Sequence, residues 1–242
     1  MTQNIYDDES FFRAYSQLPR SMHGLQGAPE WPTLRAMLPD IRDHDVLDLG
    51  CGYGWFCRWA REQGAARVTG IDVSVMMLAR ARAMTNDPAI AYAHQDLETI
   101  RLRRKAYALV YSSLTFHYLH NLEHLLGEVR SALIAGGSLV FSVEHPIFTA
   151  PLHPGWIEEA SGRKTWPVHG YLSEGERSTD WLAKGVIKRH RTIATYFGLL
   201  LRQGFGVTRL EEWGPSPEQI AAQPSLAVER ERPAFLLIAA MR

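Results

Sequence analysis

The chain has 242 residues, 46% of them hydrophobic, and its 26 basic and 26 acidic side chains balance to a formal net charge of +0. This length suits one α/β domain with an ample core. The charge balance excludes recruitment to nucleic acid or to an anionic membrane by bulk field, and no apolar run approaches the ~20 residues that span a bilayer.

Met1 to Ser10 is polar and acidic and lacks the apolar core of a secretory signal, so a cytoplasmic setting is expected. The stretch to about Pro39 carries Tyr6, Phe11, Phe12, Tyr15, Arg20 and Trp31 ahead of the first strand signal. Val46 to Leu49 then reads as a short apolar strand with an acid, Asp48, near its end. It breaks into Gly50-Cys51-Gly52-Tyr53-Gly54, three glycines at alternate positions. Phe56, Trp59, Ala60 and Gln63 follow at i, i+3, i+4 and i+7, a helical stripe. Strand, glycine turn and helix together bring bare backbone and unpaired helix N–H groups against a ligand. Cys51 and Cys57 flank this turn. A disulfide there would distort the glycine loop, and neither cysteine has His or Cys neighbours at zinc spacing, so no metal is expected.

Arg67 to Asp72 reads as a second strand ending in an acid. Asp72 lies about twenty residues past the glycines, the spacing of a carboxylate that accepts bonds from ribose hydroxyls. A helix to Ala83 follows, with Ser74 as N-cap. Ile90 to His94 is a third strand, followed by Gln95-Asp96-Leu97. The basic cluster Arg101 to Lys105 reads as a solvated connection, and Tyr107 to Ser113 as a fourth strand. Leu122, Leu125, Leu126, Val129 and Leu133 form a helical stripe that Gly136-Gly137 ends, and Ser138 to Val143 is a fifth strand. After a second stripe at Ile193, Tyr196, Phe197, Leu200 and Leu201, Phe205 to Trp213 and Pro233 to Met241 read as two final strands. This alternation implies an α/β fold with a mostly parallel sheet.

The glycine spacing separates two ligand classes. A dinucleotide turn reads G-x-G-x-x-G, whereas here Asp48-x-Gly50-x-Gly52-x-Gly54 is one residue tighter, and no Gly-Lys-Ser/Thr phosphate loop is present. The D-x-G-x-G-x-G run resembles motif I of the class I S-adenosylmethionine-dependent methyltransferases, and the resemblance runs in order from about Asp45 to Val143. It implies a three-layer α/β/α sandwich around a seven-stranded, Rossmann-like sheet whose last strand is antiparallel, inserted between the fifth and sixth. It implies S-adenosyl-L-methionine as cofactor, held by Asp48, Gly50, Cys51, Gly52, Tyr53 and Gly54 at its amino-acid end and by Asp72 at the ribose, with Val73 and Met77 also among the cofactor-binding residues. Asp96 and Leu97 would meet the adenine, and Ser112 falls on the cofactor-side loop. In related methyltransferases the N-terminal segment closes the pocket, which puts Tyr15 and Arg20 in reach of the cofactor carboxylate, Arg because its forked donors suit that group.

Two parts exceed the minimal sheet of this single domain, 1–242. They are the cap segment 1–39 and an insertion, 146–189, at the carboxyl edge where open α/β sheets bind ligands. The insertion carries Trp156, Trp166, Tyr171 and Trp181 with His153 and His169, and reads as a lid over the acceptor pocket. Methyl transfer needs a base only if the acceptor carries a proton. His117 and Tyr118 after the fourth strand, and Glu144 and His145 after the fifth, are the candidates, with His117 and His145 foremost because imidazole titrates near pH 7. No N/D-P-P-Y/F tetrapeptide follows the fourth strand, where Ser112-Ser113-Leu114-Thr115-Phe116 stands instead. The stretch is more similar to the ubiquinone/biotin-synthesis branch that acts on small molecules. A small-molecule acceptor, no nucleic-acid or membrane partner, and a monomer or homodimer are the expectations. An NAD-dependent oxidoreductase and a methyltransferase-like binder without turnover remain the alternatives.

Overall fold

A computed structural model describes residues 3–242; Met1 and Thr2 of the expected cap lie outside the described residues. Three short helices come first, α1 (Glu9–Tyr15), α2 (Pro19–Met22) and α3 (Trp31–Arg35). The alternating part then runs β1 (Asp45–Leu49), α4 (Trp55–Glu62), β2 (Arg67–Asp72), α5 (Val75–Ala83), β3 (Ile90–His94), β4 (Tyr107–Ser113), α6 (Leu122–Ala132) and β5 (Leu133–Glu144). The remainder is α7 (Pro146–Thr149), β6 (Ile157–Glu158), β7 (Lys164–Thr165), β8 (Gly175–Trp181), β9 (Ala183–His190), α8 (Ile193–Arg202), β10 (Gly206–Trp213), α9 (Pro217–Ala222) and β11 (Phe235–Met241).

Seven strands form one sheet in the order β10-β11-β5-β4-β1-β2-β3. β3, β2, β1, β4 and β5 pair in parallel, and β11 runs antiparallel between β5 and β10. Side chains alternate across this sheet. Leu47 and Leu49 join Val110, Leu139 and Ile238 against Leu125, Val129 and Leu200 of α6 and α8. Val46, Val68, Leu109 and Leu237 face the other way, onto Leu34, Phe56, Ala60 and Leu78 of α3, α4 and α5. Helices therefore cover both faces, and the parallel strands direct their carboxyl ends to one edge.

Two local boundaries differ from the sequence expectation. Helix α6 ends at Ala132, before the glycines, because Leu133 is already extended (φ −68°, ψ 144°) and pairs with Tyr107 of β4. The insertion is not irregular: β6 pairs with β7, and β8 pairs with β9 in a longer antiparallel hairpin. Ser74 caps α5 as expected, its hydroxyl accepting from Met77 N–H at 3.0 Å. Among the described residues no helix is long and apolar enough to cross a membrane.

Candidate active site

A cavity of about 370 Å³ opens at the carboxyl edge of the sheet, within the ~300–1,000 Å³ range of small-molecule sites. A smaller recess adjoins it and shares Tyr15, Arg20, Gly50 and Gly52.

The turn after β1 builds one end. Gly50, Gly52 and Gly54 all have positive φ (76°, 50° and 70°), for different reasons. A Cβ on Gly50 would strike Thr115 Oγ1 at 2.0 Å, and one on Gly54 would strike the Tyr92 hydroxyl at 2.1 Å. Gly54 therefore serves packing. A Cβ on Gly52 would meet nothing within 4 Å. Its bare backbone faces the open cavity, and a side chain there would occupy ligand space.

Asp72 ends β2 at the cavity wall, with 9% of its surface exposed. Its Oδ1 accepts from Ser74 N–H at 2.9 Å and its Oδ2 from Gly52 N–H at 2.8 Å. Burial raises its pKa, and bonds from the Ser74, Gly52 and Val73 backbone oppose that rise. A carboxylate accepts about four hydrogen bonds, so beyond these backbone donors about one acceptor position remains open toward the cavity. Val73, Met77, Asp96 and Leu97 line the same end of the cavity. Asp48, Cys51 and Tyr53 line the adjoining recess instead. Cys57 donates to Asp48 Oδ2 at 3.3 Å, and burial pushes the Asp48 carboxyl up to about 7. Tyr15 and Arg20 line both spaces, and one Arg20 nitrogen binds both Glu30 oxygens at 3.1 and 3.2 Å.

Besides that of Gly54, three expected roles are corrected. Ser112 does not line the cavity; it is fully buried and its hydroxyl donates to Leu49 carbonyl at 2.7 Å, tying β4 to β1. Its neighbours Ser113, Leu114 and Thr115 line the cavity. His145 is also fully buried and outside the cavity. Its Nδ1 accepts from Ile147 N–H at 3.0 Å, capping α7, and its Nε2 lies 2.9 Å from Glu212 Oε1, so both nitrogens are used. His117 does line the cavity, but its Nδ1 accepts from Glu144 N–H at 3.3 Å. That bond assigns its proton to Nε2. Burial pushes the imidazole down to about 4, so at neutral pH it is an uncharged N–H donor with no free lone pair and a poor base.

The other end of the cavity is built from side chains distant in sequence. Glu144, at the end of β5, receives Lys188 Nζ of β9 on Oε1 at 2.5 Å, while its Oε2 is buried without a partner. Trp181 lies beneath that ammonium, 5.0 Å from ring centre to Nζ. Trp213, Phe235, Glu229 and Arg232 complete this end. Lys188 was legible in principle: Val186, Lys188 and His190 share the inward face of β9 at period two. Arg232 has no such signal, because it sits in a loop before β11 and reaches the cavity only through the tertiary fold.

Gln3, Tyr6, Tyr15, Arg20 and Pro29 of the N-terminal segment line the cavity. Asp7 Oδ1 accepts from Ser74 Oγ at 2.5 Å and from Met76 N–H at 3.1 Å, so its charge caps the start of α5. Gln3 bridges to β9, accepting from Ile187 N–H at 2.9 Å and donating to Gly185 carbonyl at 3.0 Å. Tyr6 contacts Phe11, Tyr15 and Tyr118 edge-on.

The Methyltransferase domain family matches residues 47–141. A crystal structure of an S-adenosylmethionine-dependent methyltransferase from Mesorhizobium loti is 52% identical; the match covers 90% of this chain and 100% of that one, with a TM-score of 0.88. An uncharacterised protein of Haemophilus influenzae is 30% identical over 251 residues, 99% of this chain and 97% of its own. The malonyl-[acyl-carrier protein] O-methyltransferase of Enterobacter lignolyticus is 38% identical over 109 residues. That is 45% of this chain and 42% of that protein, so the similarity to this relative spans less than half of its length.

Proposed function

Because the chain belongs to the S-adenosylmethionine-dependent methyltransferase family, we propose that it methylates a small-molecule acceptor held beside the cofactor in one cavity. The observation that carries this reading is the cavity's division. One end offers bare backbone, a carboxylate with an unused acceptor position and an apolar wall. The other offers aromatic rings and buried charges.

The residues at the first end fit the cofactor. Asp72 receives a ribose hydroxyl, Val73, Met77 and Leu97 pack on the adenine with Asp96 at its edge, and the backbone at Gly50 and Gly52 lies along the amino-acid portion. Tyr15 and Arg20 face its carboxylate, and Asp48, Cys51 and Tyr53 shape the recess beside it. The bound cofactor supplies an already activated methyl group. The protein's work is to align the acceptor and exclude water. The cap segment and the β8–β9 hairpin do the second, since Gln3, Asp7 and the Tyr6 ring cluster tie them at the cavity. Where the acceptor carries a proton, Glu144 is better placed than His117 to take it, because its Oε2 is unpartnered whereas the His117 lone pair is used.

Two measurements test this reading. Titration calorimetry should show binding of S-adenosylhomocysteine and none of NAD; the reverse would establish the oxidoreductase alternative. Labelled methyl transfer should be detected on a panel of small acids, amines and phenols, and Glu144→Gln should lower kcat about 10²-fold while leaving S-adenosylhomocysteine affinity within two-fold. Cofactor binding with no transfer to any acceptor class would leave a binding protein without turnover.

A further inference from the structure

Arg232 is the most anomalous charged group in the molecule. It stands in the loop leading into β11, in the cavity wall, with 5% of its surface exposed. A guanidinium is always charged and carries five N–H donors. Only Nη2 is engaged, with Glu229 at 3.4 Å to Oε1 and 3.3 Å to Oε2. Nε and Nη1 are buried and have no partner. Three rings surround the guanidinium, with Phe148 and Trp166 centred 4.3 Å from Cζ and Trp156 at 5.1 Å. Rings stabilise a cation electrostatically but leave its in-plane donors unsatisfied. A buried cation with idle donors is costly unless something completes its hydrogen bonds.

Resting on the methyltransferase reading above, we propose that Arg232 is the docking group for a carboxylate on the methyl acceptor, with Phe148, Trp156 and Trp166 holding the guanidinium in place. Several features favour a single-charged carboxylate. Planar carboxylates match the guanidinium fork. Glu229 already contributes one negative charge beside it and Glu144 a second at the same end of the cavity, so a dianionic phosphate would meet repulsion. Phe235 and Trp213, which line the same cavity with their ring centres 5.5 Å apart, give the acceptor's carbon skeleton an apolar bed. Of the three rings only Phe148 lines the cavity; Trp156 and Trp166 pack on the guanidinium outside that lining. Trp166 is tied by one bond, Nε1 to Ile147 carbonyl at 3.0 Å, and the hairpin between Trp156 and Trp166 pairs only two residues per strand. Arg232 itself lines the cavity, so an anion bound there can take its idle donors without any change in the rings.

The test uses the full chain loaded with S-adenosylhomocysteine. The probes are 3-phenylpropionate, the isosteric 3-phenylpropionamide and inorganic phosphate, followed by calorimetry and tryptophan fluorescence. The carboxylate should bind at least ten-fold more tightly than the amide or phosphate and should change the fluorescence of the tryptophans flanking Arg232. Arg232→Gln should erase the preference for carboxylate over amide, and Arg232→Lys, which keeps the charge, should retain part of it. Equal binding of acid and amide, absence of acid binding, tighter phosphate binding, or a preference that survives in Arg232→Gln would overturn the proposal. If Arg232→Gln fails to fold, the wild-type comparison and the Lys variant still decide it. Loss of S-adenosylhomocysteine binding in the unaltered protein would instead remove the methyltransferase reading, so the two failures are distinct.

Discussion

The two ends of the cavity are made in opposite ways. The end assigned to the cofactor comes mainly from one stretch, Asp48 to Leu97, joined by Tyr15 and Arg20 of the N-terminal segment, and relies largely on backbone: positive-φ glycines, the Gly52 N–H bonded to Asp72, and the start of α5. The end assigned to the acceptor is gathered from Tyr118, Glu144, Trp181, Trp213 and Arg232, and relies on side chains whose charges are buried against one another or against rings. A backbone-built site tolerates almost no change at its glycines. A side-chain-built site can be re-specified residue by residue while the sheet beneath it stays intact.

The largest expected effect tests the backbone-built end. Gly52→Val places a branched side chain at φ 50° in space that is open in the free protein. The strain of a left-handed residue costs about 1–2 kcal/mol of fold stability, while the overlap of the new side chain with the ligand abolishes binding. S-adenosylhomocysteine binding should be undetectable by calorimetry, with the far-ultraviolet circular dichroism retained. Trp166→Ala, at the other end, should leave that affinity within a few-fold. If both variants lose binding alike, the division into two ends is wrong.

Asp72→Ala comes next. Loss of charge-assisted bonds should cost about 2–4 kcal/mol of cofactor affinity. The variant should then bind S-adenosylhomocysteine and its 2′-deoxy analogue nearly equally, whereas the parent prefers the former. A parent-like preference for the ribose hydroxyl persisting in Asp72→Ala would exclude this role.

The same contrast explains what the sequence discloses. The D-x-G-x-G-x-G turn, Asp72 and the Ser74 cap are local patterns, and local chemistry dictates them. The alternation of strands and helices implies a parallel sheet, but the place of the antiparallel strand between the fifth and sixth is implied only by the family resemblance. Ser112 and His145 misled because a polar residue at a strand's carboxyl end can face the cavity or the neighbouring strand. One faces Leu49 carbonyl and the other Glu212, and no local pattern distinguishes the cases. The β8–β9 hairpin hid because its buried face carries Arg177, Lys188 and His190. Period-two reading discounts charged residues as core, whereas here Arg177 is satisfied by the Ala150, Ser173 and Gly170 carbonyls. Arg232 required the assembled fold.

A smaller effect concerns stability. Asp48 has its pKa raised to about 7 by burial, against 3.8 for the free group. Between these values the folded protein holds a proton that the unfolded chain releases, so stability falls as pH rises from about 4 to about 7 and is level above. Asp48→Asn removes the penalty. Without ligand it should nearly match the parent near pH 4 and exceed it by on the order of 4 kcal/mol at pH 8, measured by urea unfolding at each pH. A pH-independent difference would mean that Asp48 stays ionised throughout.

His117→Gln should change activity least, although His117 lines the cavity between its two ends. Gln can accept from the Glu144 N–H as Nδ1 does and can donate toward the cavity as Nε2 does. If His117 only positions Glu144 and donates a hydrogen bond, kcat should stay within about three-fold, since general base catalysis would be worth ~10²–10⁴-fold. The acid limb of the pH–rate profile should not move. Stability should respond instead. The folded imidazole titrates near 4 and the unfolded one near 6.5, so the unfolded chain binds a proton first, and stability is lost as pH falls through that interval. Gln cannot take up that proton, so the acid-side loss should shrink by on the order of 1–2 kcal/mol at pH 4.5. A hundred-fold fall in kcat, with an acid limb that disappears, would restore His117 as the base and make the centre of the cavity, not its Glu144 side, the seat of proton removal.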